Sequence, residues 1–454
     1  MTWRKVTIST FLNERKGRYK PDEAMRMKLK RIDKIDFSNN IHLSETTETK
    51  TDMILVKQGD LVISGINAEK GAIAIYRGEE DIMATIHYSS YTYNEKEIDI
   101  DYLKWFLKSE TFLNTLKEQT KGGIKTELKP NRLLPLEIYL PDKPMQKQIL
   151  KKLNNIEEEV LELEENIDGT ANLLVKLRQS ILQDAVKGKL VKQNPKDEPA
   201  TELLKRIKAK KEKLIKQGKI KKEKPLPPIT AEEIPYELPK GWAWCRLGEV
   251  AEINPSNSID DNLDVSFIPM ALVKQEYGVW PDSEKRKWKE IKKGYTHFQD
   301  NDVVVAKITP CFENSKAGVM NNLINGYGAG TTELYVLRIL KKLTDSNYLY
   351  CFVKTSKFLK EGEGVMTGTA GQKRVPREYI ENCLFPLPPL AEQNRIVEKV
   401  NELMDLCSSL EKEIAHSKQE ADYLLNAILR ETFISKPIKE YSQKETQLSI
   451  AAEQ

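Results

Sequence analysis

Apolar residues recur in two long stretches of this chain at alternating steps of four and three. In the first stretch they are Ile149, Leu153, Ile156, Val160, Leu163 and Ile167, then Leu174, Leu177 and Ile181. At a shift of 247 residues the pattern returns at Ile396, Val400, Leu403, Cys407, Leu410, Ile414, Ala421, Leu424 and Ile428. A seven-residue repeat of this kind predicts two long helices whose apolar seams pack together. The alternative is that each seam is the core-facing stripe of an ordinary helix.

The rest of the chain also repeats. Trp3 aligns with Trp244 at a shift of 241, and the segment ending at Ile66 aligns with the segment ending at Ile308 at a shift of 242. Residues 102–113, YLKWFLKSETFL, align at a shift of 246 with YLYCFVKTSKFL, and the two are identical at six positions. The order of elements is therefore globular module, long helix, globular module, long helix.

Inside each module the pattern is mixed. The β-branched runs at 52–66, 301–308 and 332–340 predict strands, and the apolar spacing of 346–362 and of its counterpart from Asp101 predicts a short helix in each module. We expect an α+β fold: two globular domains separated by a long antiparallel two-helix coiled-coil spacer. The spacer would be about 60 Å long. A repeated unit with antiparallel helices has a pseudo-twofold axis, which suits a DNA duplex with antiparallel strands.

The predicted boundaries follow from these patterns. The first module covers 1–140, the central spacer helix region 141–218, a proline-rich connector 219–239, and the second module 240–387. The C-terminal spacer helix covers 388–435, and a polar tail covers 436–454.

Composition narrows the class of protein. Among 454 residues 39% are hydrophobic and 31% are charged, and the net charge of +4 is too small to indicate a partner. No apolar run is long enough for a membrane span or a signal peptide, and five scattered cysteines are typical of a reducing cytoplasm. Neither the cysteines nor the four histidines have metal-ligand spacing, so we expect no metal site.

Positive charge is concentrated in the connector region. Residues 192–224 contain 13 Lys or Arg and 5 Asp or Glu, a net charge of +8. Asp197, Glu198 and Pro199 predict the start of a helix. The helix could be a phosphate-contacting arm, but a solvated helical face is the simpler interpretation for most of its lysines.

Three polar loops carry residue types that can hold phosphates or contact base edges. One follows a predicted strand, one lies beside glycines, and one is the counterpart of the second in the first module. The candidate DNA contacts are Lys307, Thr309, Asn314 and Lys316; Thr367, Gln372, Lys373 and Arg374; and Lys121, Lys125, Lys129 and Arg132. The alternative for each loop is a solvated turn on a lysine-rich surface.

Motifs typical of enzymes are missing from the sequence. The segment GYGAG (326–330) lacks dinucleotide-binding spacing and precedes a predicted strand, and no phosphate-binding loop of the G-x-x-x-x-G-K-[ST] type occurs. Asp282, Glu290 and Lys292 have a spacing found in some nuclease sites, but this spacing is expected by chance in a chain so rich in charge. We therefore predict no catalytic residues and no cofactor.

Several segments resemble one known family. LRQSILQDAVKGKLVKQNPKDEPATELLKRIKAKKEKL (177–214) and PLPPLAEQNRIVEKV (386–400) resemble the spacer segments of specificity subunits of type I restriction–modification systems. LPKGWAWCRLGEVAEI, KITPCFENSKAGV and GTAGQKRVP resemble the start, middle and end of target-recognition domains in that family.

The resemblance implies a non-catalytic DNA reader in which each module is a target-recognition domain. Each domain would read one half of a split, asymmetric target in double-stranded DNA, and the helix pair would set the unread gap. Two methyltransferase subunits would dock and flip one adenine each, and nuclease/translocase subunits would complete the enzyme. The alternatives are a coiled-coil scaffold with two protein-binding modules and a fused single-chain restriction enzyme. The second would need methyltransferase motifs that the sequence lacks.

Overall fold

The computed structural model describes residues 3–36, 39–44, 46, 48–67, 72–119, 127–221, 224–279, 281–340, 342–369 and 371–433. The chain forms two compact units, of which the first is built from two parts of the sequence and the second from one continuous part. Unit 1 contains Met1–Asp168 and Ala415–Gln454, and unit 2 contains Gly169–Ile414.

Up to the end of the first long helix, the chain forms short strands and a few short helices. The strands are β1 (Arg4–Thr7), β2 (Leu12–Glu14), β3 (Arg31–Ile35), β4 (Ile41–Ser44), β5 (Met53–Val56), β6 (Leu61–Ser64), β7 (Ile73–Ile75), β8 (Ile82–Thr85), β9 (Tyr88–Tyr93) and β10 (Glu137–Leu140). The helices are α1 (Pro21–Met27), α2 (Ile100–Lys108), α3 (Glu110–Gln119), α4 (Pro130–Leu133) and α5 (Lys143–Val186).

The remainder of the chain has a corresponding set of strands and helices. Its strands are β11 (Ala243–Arg246), β12 (Ala251–Ile253), β13 (Asp264–Ile268), β14 (Glu284–Lys287), β15 (Thr296–Gln299), β16 (Val303–Ala306), β17 (Ala317–Val319), β18 (Tyr327–Gly330), β19 (Leu334–Ile339) and β20 (Leu384–Leu387). Its helices are α6 (Ala200–Lys216), α7 (Leu247–Val250), α8 (Trp288–Ile291), α9 (Ser346–Val353), α10 (Ser356–Gly364), α11 (Arg377–Asn382) and α12 (Leu390–Thr432).

The strand order is the same in the two units. Unit 1 has the sheets β2-β9-β6-β7 and β4-β3-β8-β5, and unit 2 has β12-β19-β16-β17 and β14-β13-β18-β15. In each unit one pair, β3 with β8 or β13 with β18, is parallel, and a two-stranded ribbon joins the first strand to the last. The predicted mixture of helices and strands is therefore confirmed for each module.

The predicted strands are present, with one addition. The runs at 52–66, 301–308 and 332–340 contain β5, β6, β16 and β19, and every residue of Val303–Ala306 is buried. We predicted that GYGAG (326–330) precedes a strand. In the structure most of this segment, Tyr327–Gly330, itself forms the strand β18. A Cβ atom at Gly328 would lie 2.4 Å from the Phe298 ring. Glycine is required there by close packing in the sheet.

The prediction of one short helix at 346–362 and one at its counterpart was wrong, because each is broken into two. The Thr355 hydroxyl donates to the Phe352 carbonyl at 2.7 Å and accepts from the Phe358 amide at 3.4 Å, which ends α9 and caps α10. Ser109 makes the same two bonds between α2 and α3. A hydroxyl side chain at such a position satisfies the free amide groups of a new helix.

The two long helices have 44 and 43 residues. In unit 1 the first part of α5 packs on the last part of α12, where Leu153 lies in one core with Leu429 and with Phe433, the residue after α12. In unit 2 the last part of α5 packs on the first part of α12, where Leu174 lies in one core with Cys407. Each unit therefore contains packed segments of both long helices.

A buried glutamine fixes the first turn of each long helix. The Gln146 side chain accepts from the amide of Asp99, the N-cap of α2, at 2.7 Å. The Gln393 side chain accepts from the amide of Asp345, the N-cap of α9, at 2.9 Å. Each glutamine also donates to the carbonyl of a proline five residues earlier. The duplicated helix start is thus tied to its module in the same way in both units.

The twelve seam positions within 149–167 and 396–414 differ in burial. Six are buried, namely Leu153, Val160, Ile167, Ile396, Val400 and Cys407. Four are half-buried, namely Ile149, Ile156, Leu403 and Ile414. Leu163 and Leu410 are 42% and 43% exposed. Among the described residues, no helix is long and apolar enough to cross a membrane.

Candidate nucleic-acid interface

The loop of residues 307–316 connects β16 to β17 in unit 2 and is internally hydrogen-bonded. The Phe312 amide donates to the Ile308 carbonyl at 3.0 Å, and the Asn314 amide donates to the Pro310 carbonyl at 2.9 Å. Phe312 is 1% exposed and packs 5.8 Å from the Phe358 ring. The loop is therefore a fixed platform anchored by one aromatic side chain.

The structure brings this loop together with residues 367–374, about sixty positions later. The Thr309 amide donates to the Lys373 carbonyl at 3.0 Å, and the Lys373 amide donates to the Thr309 hydroxyl at 3.2 Å. The Val375 amide donates to the Lys307 carbonyl at 2.9 Å. The described residues of two of the three predicted loops thus lie side by side.

Several predicted contact residues already have partners within the protein. Arg374 donates twice to the Glu333 carboxylate at 2.9 Å, and this guanidinium lowers the pKa of Glu333. The Lys316 ammonium donates to the Met270 carbonyl at 3.2 Å. The Lys307 ammonium lies 5.5 Å from the Tyr335 ring centre. These side chains hold the loops together, and DNA contact by them stays a prediction.

Other predicted residues on the same surface are available. Asn314, Thr367, Gln372 and Lys373 are exposed, and their side chains make no hydrogen bond or ion pair within the described part of the chain. Two side-chain amides, a hydroxyl and an ammonium group are therefore free to bind a ligand at this surface.

The counterpart in unit 1 is only partly described. Lys121 and Lys125 lie outside the described residues. Lys129 precedes α4, is 61% exposed and pairs with Glu127 at 3.3 Å. Arg132 is half-exposed on α4.

Sequence reasoning missed a basic strand at the edge of a sheet. All four residues of β14, EKRK, are exposed. The Arg286 guanidinium lies 5.2 Å from the Phe267 ring centre, while Lys285 and Lys287 pair with Asp264 at 2.9 and 2.7 Å. Hydrogen bonds from these two lysines lower the pKa of Asp264. The signal in the sequence was the run of three consecutive basic residues at 285–287, which indicates a positively charged surface when the segment is extended.

The charged cluster considered as a nuclease site is arranged differently. The Lys292 ammonium donates to both Asp261 oxygens, at 2.8 and 2.6 Å. Within the described ranges, no group of three or more His, Cys, Asp or Glu side chains could hold a metal ion.

The basic stretch at residues 192–224 contains the helix α6, which is partly buried. Pro199 is the N-cap of α6, and Ala200, Leu203 and Ile207 are buried in the core of unit 2. On the other faces Lys208 pairs with Glu249 at 2.8 Å. Much of α6 is therefore a packed helix with paired charges.

Comparisons with known proteins agree on one family. Residues 239–417 match the family model described as "Type I restriction modification DNA specificity domain". Over 275 residues, 60% of this chain, it is 50% identical to the type I restriction enzyme EcoAI specificity subunit and 48% identical to the EcoEI subunit, both of Escherichia coli. These matches cover 47% and 46% of the relatives, so the chain spans about half the length of the curated relatives it matches.

Solved structures show the same fold at low sequence identity. The HsdS subunit of Thermoanaerobacter tengcongensis aligns with a TM-score of 0.52 and 17% identity, over 95% of this chain and 97% of that one. A chain from a study of complex assembly and conformational transition of the type I R-M system aligns with a TM-score of 0.57 and 16% identity, over 95% and 98%.

Proposed function

We propose that this chain, which matches the type I specificity-domain model over residues 239–417 and is similar to specificity subunits of type I restriction enzymes, is the DNA-reading subunit of such an enzyme. It binds a split, asymmetric target in double-stranded DNA, with one half bound by each target-recognition domain. The observation that carries this proposal is the surface formed by residues 307–316 and 367–374, which lies within the matched domain.

The free side chains of this surface suit DNA recognition. Lys373 can contact a phosphate, and Asn314 and Gln372 can pair with the edge of adenine through donor and acceptor together. Arg374 and Lys316 act indirectly, because their bonds to Glu333 and Met270 fix the positions of the loops. Base readers need such preorganised positions.

The proposed domain division supports one half-site per domain. The target-recognition domains are residues 1–140 and 240–387, and the spacer helices lie within 141–218 and 388–435. The matching strand order of the two units supports two readers of one design. Helices of 44 and 43 residues are about 65 Å long. We propose that they pair as an antiparallel coiled coil, which sets the length of the unread gap.

The proposed partners are two methyltransferase subunits, joined in the restricting complex by nuclease/translocase subunits. Support comes from apolar side chains left exposed on the long helices. In unit 2 Leu173 is 65% exposed, Val175 64% and Leu406 58%. Contact with a partner subunit would remove these apolar side chains from water, which favours binding. A methyltransferase bound at a fixed position could flip one particular adenine.

We further propose that this chain supplies no catalytic group and binds no cofactor. The reaction would belong to the partners, and this chain would decide where on the duplex it takes place.

Single-molecule sequencing of the host genome tests the proposal. We expect methylated adenines in one split, asymmetric motif, and we expect this methylation to disappear when the gene for this chain is deleted. A scaffold without a DNA role would leave every methylated motif unchanged, and that result would contradict the proposal.

A further inference from the structure

Residues 269–279 of unit 2 form a loop after β13 that no sequence motif singles out. A single helical turn at Met270–Leu272 begins it, and buried Val273 anchors it. Gln275 and Glu276 are exposed, and Lys274 is half-exposed. The side chains of Lys274 and Gln275 have no hydrogen-bond partner among the residues that the structure describes.

This loop is bonded directly to the loop of residues 307–316. The Lys316 ammonium donates to the Met270 carbonyl at 3.2 Å, and the Ala317 amide donates to the Lys274 carbonyl at 3.4 Å. Residues 307–316 therefore have loop 367–374 at one end and loop 269–279 at the other.

Lys354 makes the third connection. It is 2% exposed, and its ammonium donates to the Gln275 carbonyl at 2.8 Å and to the Ser315 carbonyl at 2.5 Å. Among the described residues no carboxylate lies within ion-pair distance of it. Burial is unfavourable for the charged form and lowers the pKa of Lys354 to about 7, which outweighs the opposite effect of the nearby Glu276 carboxylate. The Lys354 ammonium group thus joins two loops, although burial of its charge costs free energy.

Two stacked tyrosines hold the other end of loop 269–279. The Tyr277 and Tyr350 rings lie 4.9 Å apart, and the Tyr350 hydroxyl donates to the Glu276 carbonyl at 3.3 Å. The Gly278 amide donates to the same hydroxyl at 3.2 Å. The backbone is therefore held on both sides of Gln275, while the Gln275 side chain is exposed.

We propose that residues 269–279 are a third DNA-reading loop, that Gln275 contacts the target, and that Lys354 is the positioning residue that joins this loop to residues 307–316. The inference rests on the proposed function and extends its site. A glutamine amide can pair with the donor and acceptor of an adenine edge in the major groove. Lys274 beside it would contact a phosphate.

The chromosomal gene is replaced by variants of the full chain, and methylated adenines are mapped by single-molecule sequencing. With Gln275→Ala we expect about tenfold less methylation of the original motif, with new sites that differ at one position in one half. Gln217→Ala is the matched control, since Gln217 is exposed at the end of α6. It should leave the motif and the methylated fraction unchanged.

Lys354→Met tests the positioning role. Methylation of the original motif should fall about tenfold or more and spread to sites altered in the same half. Lys354→Arg, which keeps several donors, should restore part of the selectivity. A purely structural lysine would change the amount of protein without changing which sites are methylated. Immunoblotting measures that amount, and if Lys354→Met is degraded, Gln275→Ala alone decides the outcome.

The results separate the two proposals. If the wild-type chain directs a motif and Gln275→Ala directs the same motif to the same extent, the third loop is refuted and the proposed function stands. If no methylated motif depends on the wild-type chain, the proposed function itself is refuted.

Discussion

Residue type alone does not separate a side chain that holds a loop from one that is free to read DNA. Lys316, Lys373 and Arg374 look equivalent in the sequence. In the structure Arg374 is paired with Glu333, Lys316 donates to a backbone carbonyl, and the Lys373 side chain makes no bond within the described residues. The difference depends on partners that lie forty to fifty residues away along the chain.

Burial of Lys354 predicts how the free energy of unfolding depends on pH. In the folded chain its pKa is about 7, mainly through desolvation by burial, whereas the unfolded side chain keeps its proton to about its ordinary value of 10.5. Between these values the unfolded state binds more protons, so the free energy of unfolding rises with pH. It should rise by about 2 kcal/mol from pH 7 to pH 9 relative to Lys354→Met.

Urea unfolding of both proteins at several pH values measures this difference. Of the groups facing Lys354, the Glu276 carboxylate is present in both proteins, and burial raises the pKa of Tyr277, Tyr350 and Cys351, so these three stay neutral in this range. Parallel curves for the wild type and Lys354→Met would contradict a lysine that loses its proton in the fold.

At the scale of elements, periodicity located the long helices but not the burial of each side chain on them. The helices are where the seven-residue pattern predicts them, yet Leu163 and Leu410 are more than 40% exposed. The breaks at Ser109 and Thr355 also escaped the pattern, because apolar spacing continues across both. A single hydroxyl cap is enough to end a helix without changing its periodicity.

Adjacent leucines on α5 allow a matched test of helix packing. Leu174 is 7% exposed in the core of unit 2, whereas Leu173 is 65% exposed. Leu174→Ala should lower the free energy of unfolding by about 2–4 kcal/mol, because it leaves a cavity. Leu173→Ala should change it by less than about 0.5 kcal/mol.

Thermal and urea unfolding of the two variants measure these changes. Equal losses would show that α5 is not packed through Leu174. A normal stability for Leu173→Ala combined with weaker binding of a methyltransferase subunit would support the proposed docking surface.

At the scale of the whole molecule, the repeat predicts two separable readers. Exchange of residues 1–140 for those of a relative should change the bases in one half of the methylated motif and leave the other half and the gap unchanged. The reason is that each half would be contacted by one domain, while the long helices set the gap. Mapping of methylated adenines measures both halves of the motif at once. A change in both halves would refute the hypothesis that each domain contacts one half-site.

Much of the architecture follows from sequence pattern, because periodicity and duplication are properties of the chain itself. The two long helices, the strands at 52–66 and 301–308, and the repeated module could be predicted in this way. The surface made by residues 269–279, 307–316 and 367–374 could not, because its parts are distant in sequence and are joined by backbone hydrogen bonds and by Lys354. Such bonds are available to almost any residue, so they leave no trace in composition or spacing. Folding alone brings these groups to within 3.5 Å of each other and determines which side chains remain free.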